Sequence, residues 1–239
     1  MKIETIKYSN NYHTNFKGNR LTRFVVAMSP RYSSEKLSVK EFKYLNNVYN
    51  NLWKKLSLPE KLKPELKSKR MLSMMGFSVE DYAIYVDTSL SPFKMKVRNK
   101  TGQNEETLRH EIEHVKQIWQ MIRLLGVNKF INEIRSEQTS INCKIKHYTI
   151  KKLNEIEQTL GRISPDSQEG KTAQLYVDAL RKYPNTEEII DPIVSIIRHI
   201  KYKNNLLEIN ANKAAKDYKP SLLKKIKIAF NEFIKLLVN

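Results

Sequence analysis

The chain has 239 residues, 40% of them hydrophobic and 28% charged, which is enough to bury a real core. A single cysteine, Cys143, excludes an intramolecular disulfide, and no run of about 18 apolar residues offers a transmembrane helix. There are 43 Lys and Arg against 25 Asp and Glu, a net charge of +18, so the surface attracts nucleic acid, anionic lipid or acidic protein, although a general Lys and Asn enrichment also accounts for the excess.

Residues 1–35 read as a polar, irregular segment with one apolar stretch, Phe24 to Met28, of strand length. It has no apolar core of the secretory type, so a cytoplasmic location is expected. Residues 38–56 read as a helix: Ser38 stands three residues before Glu41, and Phe42, Leu45, Val48, Tyr49, Leu52 and Trp53 recur at helical spacing. Residues 57–70, rich in Pro and Lys, read as a connection. Tyr82 to Val86 is a strand candidate. After Ser91-Pro92, the alternation from Phe93 to Arg98 reads as a second, half-exposed strand, giving a possible hairpin.

A helix opens near Gln103 or Asn104, either of which can cap it, with Glu105 and Glu106 at its positive end. Leu108, Ile112, Val115, Trp119 and Ile122 form its apolar stripe, and Gly126 ends it. Residues 128–160 carry a further helical pattern, Gly161 to Gly170 a loop, and helices are expected over 171–183, 187–202 and 206–217. Residues 221–238 form a basic amphipathic helix, with Leu222, Leu223, Ile226, Phe230, Phe233, Ile234 and Leu237 on one side and Lys224, Lys225, Lys227 and Lys235 elsewhere. Such a helix either packs on its own domain or meets a membrane or partner.

Within the helix that opens near Gln103, the chain reads His110-Glu111-Ile112-Glu113-His114, the pattern H-E-x-x-H. Spacing four puts both imidazoles one turn apart on one face, where they can share one ion. Glu111 comes beside the same ion and can take a proton from a metal-acidified water. A chance match in a chain of this composition is expected about once in 100. The plainer reading is two surface histidines on an ordinary amphipathic helix.

Catalytic zinc usually has three protein ligands. No further histidine follows at metzincin spacing, so a glutamate is the better candidate, and two stand out. Glu208 precedes Ala211, Ala214 and Ala215, small residues that let one helix approach another closely. Glu133 lies nineteen residues after His114, on the next helix of a hairpin turning at Gly126. That hairpin is lopsided by roughly 7 Å along the helix axes.

The segment His110 to Gln117 resembles the H-E-x-x-H-x-x-Q form of zincins of the gluzincin kind, found in small bacterial and phage-encoded metallopeptidases. Glu208-Ile-Asn210-Ala211-Asn212-Lys-Ala214-Ala215 is similar to the E-x-x-A helix that brings their third ligand, with Asn210 where an acidic residue often stands. Asn132-Glu133 resembles the Asn-Glu of thermolysin-like and aminopeptidase-N-like enzymes, but the Gly-rich exopeptidase motif of those aminopeptidases is missing. The resemblance covers these short segments only. It implies a single zincin-like domain over 1–239, α+β and mostly helical, with a small antiparallel sheet beside the H-E-x-x-H helix. It also implies Zn2+ on His110, His114 and Glu208, Glu111 as the catalytic base, and a peptide or protein substrate. Tyr148, Tyr183, Tyr202 and Tyr218 are candidates for steadying the oxyanion. The rival readings are a non-catalytic zincin-fold protein, such as a phage virion or nucleic-acid-associated component packaged with the virion, and a hydrolase of non-peptide amides.

Overall fold

The computed structural model describes residues 39–69, 75–87, 92–137, 145–182, 200–216 and 221–238. The stretch Phe24 to Met28, Ser38, Cys143, Tyr183, Tyr218 and most of the helix expected over 187–202 lie outside them. The described elements are α1 (Val39–Lys55), a 3-10 turn (Glu60–Leu62), β1 (Glu65–Lys69), β2 (Met75–Ser78), β3 (Ala83–Asp87), α2 (Pro92–Thr101), α3 (Gln103–Leu125), α4 (Val127–Glu137), α5 (His147–Leu160), α6 (Gln168–Arg181), α7 (Leu206–Ala215) and α8 (Leu222–Val238). The fold is α+β and mostly helical.

Besides the long helical pattern over 128–160, which is divided between α4 and α5 with Ile145 and Lys146 outside both, three expectations change. The sheet is mixed, not antiparallel: in the order β1-β3-β2, β3 pairs parallel with β1 and antiparallel with β2. β1 lies within the supposed connection, and its run Glu-Leu-Lys-Ser-Lys offers no alternation to read, since Leu66 is its one apolar residue. The second change is Phe93 to Arg98, which is helical. Pro92 is the first residue of α2, a position where its missing N–H costs nothing. Met95 and Arg98, three apart, are both buried, a spacing that fits one face of a helix and not the alternation of a strand. The hairpin therefore does not form, and β3 pairs with β2 upstream instead. The third change is the cap of α3. Gly102, with φ 74°, precedes the helix without a side-chain cap, while Asn104 is buried and its Oδ1 accepts from Arg98 Nε at 2.8 Å. Arg98 also donates to Thr107 Oγ1 at 2.9 Å, tying α2 to the start of α3.

α3 is the spine. Leu108, Ile112, Val115, Trp119, Met121 and Ile122 are buried in a core that runs from Leu45 of α1 to Leu207 of α7. Trp53 and Trp119 meet edge to face, with ring centroids 5.7 Å apart. The polar ends of the buried aromatics are satisfied: Trp119 Nε1 donates to Tyr82 Oη at 2.8 Å, and Tyr82 donates to Leu62 O at 2.6 Å. Gly126 (φ 80°) turns the chain from α3 into α4, and a Cβ there would lie 2.1 Å from Arg162 Nη1. Arg162 needs that space, because it donates to Leu124 O at the end of α3 and to Glu157, whose other oxygen accepts Val127 N at the start of α4.

α8 packs on α2 through Glu232, which is buried between Lys96 (2.9 Å) and Lys100. Hydrogen bonding from Lys100, then Lys96, holds its carboxyl at about 2, below the usual 4.5. A depressed carboxyl contributes stability above its unfolded pKa and loses it as pH falls. The stability gap between wild type and Glu232→Gln is therefore expected to be full above about pH 4.5 and to close towards about pH 2. Thermal melts of both proteins across that range check this. A gap that stays constant would mean the ion pairs do not hold the helix.

Candidate metal centre

α3 turns its apolar stripe inward, and His110 and His114 project from another side, one turn apart. Their Nε2 atoms lie 3.0 Å from each other. α7 packs along α3 through Leu207, Ala211 and Ala215, all buried. The small alanines permit that approach, as their place in the sequence suggests. Asn205 starts α7: its Oδ1 accepts Leu207 N at 3.0 Å and its Nδ2 donates to Ala179 O of α6 at 2.8 Å. This cap sets the register of Glu208 one turn later. Glu208, buried, places one carboxylate oxygen 3.3 Å from His110 Nε2 and the other 3.3 Å from His114 Nε2.

His110, His114 and Glu208 thus offer three donor atoms within 4.8 Å of one another, a group that can hold a metal ion. A tetrahedral ion with bonds of about 2.0–2.1 Å sets its ligands about 3.3 Å apart, close to the 3.0 and 3.3 Å seen here. Three acceptors this close repel unless a cation or a proton neutralises them. The electrostatics express the same demand. Burial opposes a charge on His114, but Glu208, Glu111 and Gln117 outweigh it and raise its pKa above the ordinary value.

Glu133 is elsewhere. Both of its oxygens accept from Arg181 of α6, at 2.6 and 2.8 Å, and this partner holds its carboxyl below the ordinary range. Of the two glutamates, the fold brings Glu208 and not Glu133 to the histidines. Among the candidate tyrosines, Tyr148 donates to the carbonyl of Asp81 at 2.9 Å and Tyr202 is 37% exposed.

Glu111 follows His110 but faces the sheet side. It is buried, and its Oε2 accepts the backbone N–H of Phe77 in β2 at 2.8 Å. Burial pushes its pKa up. His114, His110 and the Phe77 amide pull it back in part, and Glu208 adds to the rise. The carboxylate is therefore held by one oxygen within electrostatic reach of the three converging side chains.

Compared with protein-family models, with curated proteins and with solved structures, the chain matches none.

Gln117 is a residue whose work sequence reading does not assign. It is 1% exposed. Its Nε2 donates to Leu207 O at 3.0 Å, which turns its Oε1 towards His114 Nδ1 at 2.9 Å. An oxygen there requires His114 to carry its proton on Nδ1, which leaves the Nε2 lone pair facing Glu208 and His110. Gln117 therefore orients one histidine and joins α3 to the turn that carries Glu208. The available signal was its position, three residues after His114 on the same helical face. Gln117→Leu is expected to weaken metal binding about 10- to 100-fold. Gln117→Glu, which keeps an acceptor for Nδ1, should hold more of the affinity. A competition titration against a chromophoric chelator reads both variants, and wild-type affinity in the Leu variant would remove this role.

Asn205 was equally silent in the sequence reading. Its signal is an Asn directly before Leu206-Leu207 with a Glu three positions on, the pattern of a helix start. Asn210, where an acidic residue often stands in the resembling enzymes, donates instead to Tyr176 Oη at 3.1 Å.

Proposed function

We propose that this chain is a zinc-dependent metallopeptidase that hydrolyses peptide bonds in a peptide or protein substrate. The observation that carries the reading is the convergence of His110, His114 and Glu208 within 4.8 Å, with Glu111 buried beside them. Two imidazoles and one carboxylate form a donor set suited to zinc, and three protein ligands are what a catalytic zinc keeps.

When bound, the ion acidifies a water and polarises the substrate carbonyl. The chain's own residues do the rest. His110 and His114 present Nε2, and Gln117 holds His114 in the tautomer that can ligate. Glu208 supplies the negative charge of the ligand set. Glu111 takes the proton from the attacking water and delivers it to the leaving amine. Its raised pKa suits both halves of that cycle, since a carboxylate with an ordinary pKa is a weaker base and holds the abstracted proton less well until the amine leaves. Phe77 N–H fixes one oxygen of Glu111, so the carboxylate keeps its aim while the proton moves.

The purified protein is expected to bind about one zinc per chain and to cleave members of a broad peptide library. Elemental analysis of the His110→Ala/His114→Ala variant should find the zinc gone. Stoichiometric zinc in that variant would sink the assignment. A wild type that holds zinc and cleaves no peptide would instead favour the non-catalytic or non-peptide rival.

A further inference from the structure

α8 is oriented against the usual logic of an amphipathic helix. Its acidic residue, Glu232, is the one buried, clasped by Lys96 and Lys100 of α2. Its apolar stripe faces outward: Leu222 is 71% exposed, Leu223 79%, Ile226 56%, Phe230 60% and Ile234 41%. These values decide the point, because a helix that turns its apolar stripe onto its own domain buries such residues. Spacings of three and four place Leu223, Ile226, Phe230 and Ile234 in one row. Lys224, Lys227 and Lys235 are exposed beside that row. Glu232 is the helix's sole acidic residue, so its outward side carries no negative group.

We propose that α8 is a docking surface for an anionic lipid bilayer, lying in the plane of the interface with its apolar row in the headgroup boundary and its lysines at the phosphates. Charge selects this occupant. A second copy would bring another chain of net charge +18 against the same lysines, whereas an anionic bilayer complements both the row and its flank. Surface attachment does not need a spanning segment, and among the described residues no helix is long and apolar enough to cross a membrane. The inference stands independently of the metallopeptidase reading.

Co-sedimentation of the full chain with lipid vesicles tests it. Vesicles of phosphatidylcholine with phosphatidylserine should carry the protein down, and vesicles of phosphatidylcholine alone should do so at least about tenfold less well. Added salt should weaken the anionic binding. Leu223→Asp/Phe230→Asp changes two exposed residues, so the fold and metal binding should survive while partition falls at least about tenfold. No partition onto anionic vesicles would overturn the proposal. So would equal partition of wild type and variant, which would reduce the contact to bulk charge. A stable dimer in sedimentation equilibrium that the double substitution dissolves would overturn it too, because the row would then be covered by a second copy.

Discussion

Glu111→Gln is expected to keep zinc and fold and to lose peptide hydrolysis by about 10²- to 10⁴-fold, the usual worth of a positioned general base. The substitution is nearly isosteric, and the amide oxygen can still accept the Phe77 N–H bond that orients the side chain. It also removes a buried ionisable group, so stability should stay level or rise. The loss should fall on kcat and on kcat/KM alike, because the proton transfer belongs to the transition state. Metal content and steady-state kinetics of the purified variant read both halves. Wild-type turnover in that variant would end the proposed role of Glu111. Loss of zinc together with activity would make Glu111 a contributor to the metal site instead.

Glu208→Ala is expected to weaken zinc binding by several kcal/mol, since total apparent affinities of about 10–16 kcal/mol are shared among the ligands of a site. Removing this carboxylate also takes away the negative charge that faces both Nε2 atoms at 3.3 Å. Glu133→Ala should be nearly silent for metal. It breaks the paired contact with Arg181, a partly exposed ion pair worth up to about 1 kcal/mol of stability. Parallel zinc titrations of the two variants decide between them. A collapse of affinity in the Glu133 variant alone would reverse the assignment of the third ligand. Measuring thermal stability beside affinity separates a lost ligand from a loosened helix.

The physical division between these two glutamates also marks what sequence reading can reach. Both stand on helices, both follow the two histidines, and each resembles a third-ligand segment. The alanines after Glu208 and the lopsided hairpin before Glu133 favour Glu208. Local pattern could not show that Arg181, forty-eight residues downstream of Glu133, takes that carboxylate. Nor could it show that Asn205, tied to α6, sets Glu208 in register with α3. The sheet was poorly legible for a related reason. β1 and β2 are short edge strands, one with a single apolar side chain and one containing glycine, and their pairing with β3 rather than their composition makes them strands. α2 is ambiguous in sequence because a proline such as Pro92 breaks a strand pattern and starts a helix with equal ease.

What the sequence determined by itself is the faces of the long helices, carried by a period of 3.6 residues. The span of α3, its stop at Gly126, its inward stripe and the shared face of His110 and His114 all follow from spacing within one helix, because backbone hydrogen bonding fixes side-chain direction locally. The apolar row of α8 was legible in the same way. Tertiary structure alone decided which remote groups meet those faces: Glu208 at the histidines, Gln117 spanning from His114 to Leu207, Phe77 N–H on Glu111, and Glu232 rather than Phe230 turned into α2. Those choices depend on how the helices and the sheet pack around one core. Packing is settled by the summed burial and pairing of many side chains far apart in the chain, which no local spacing records.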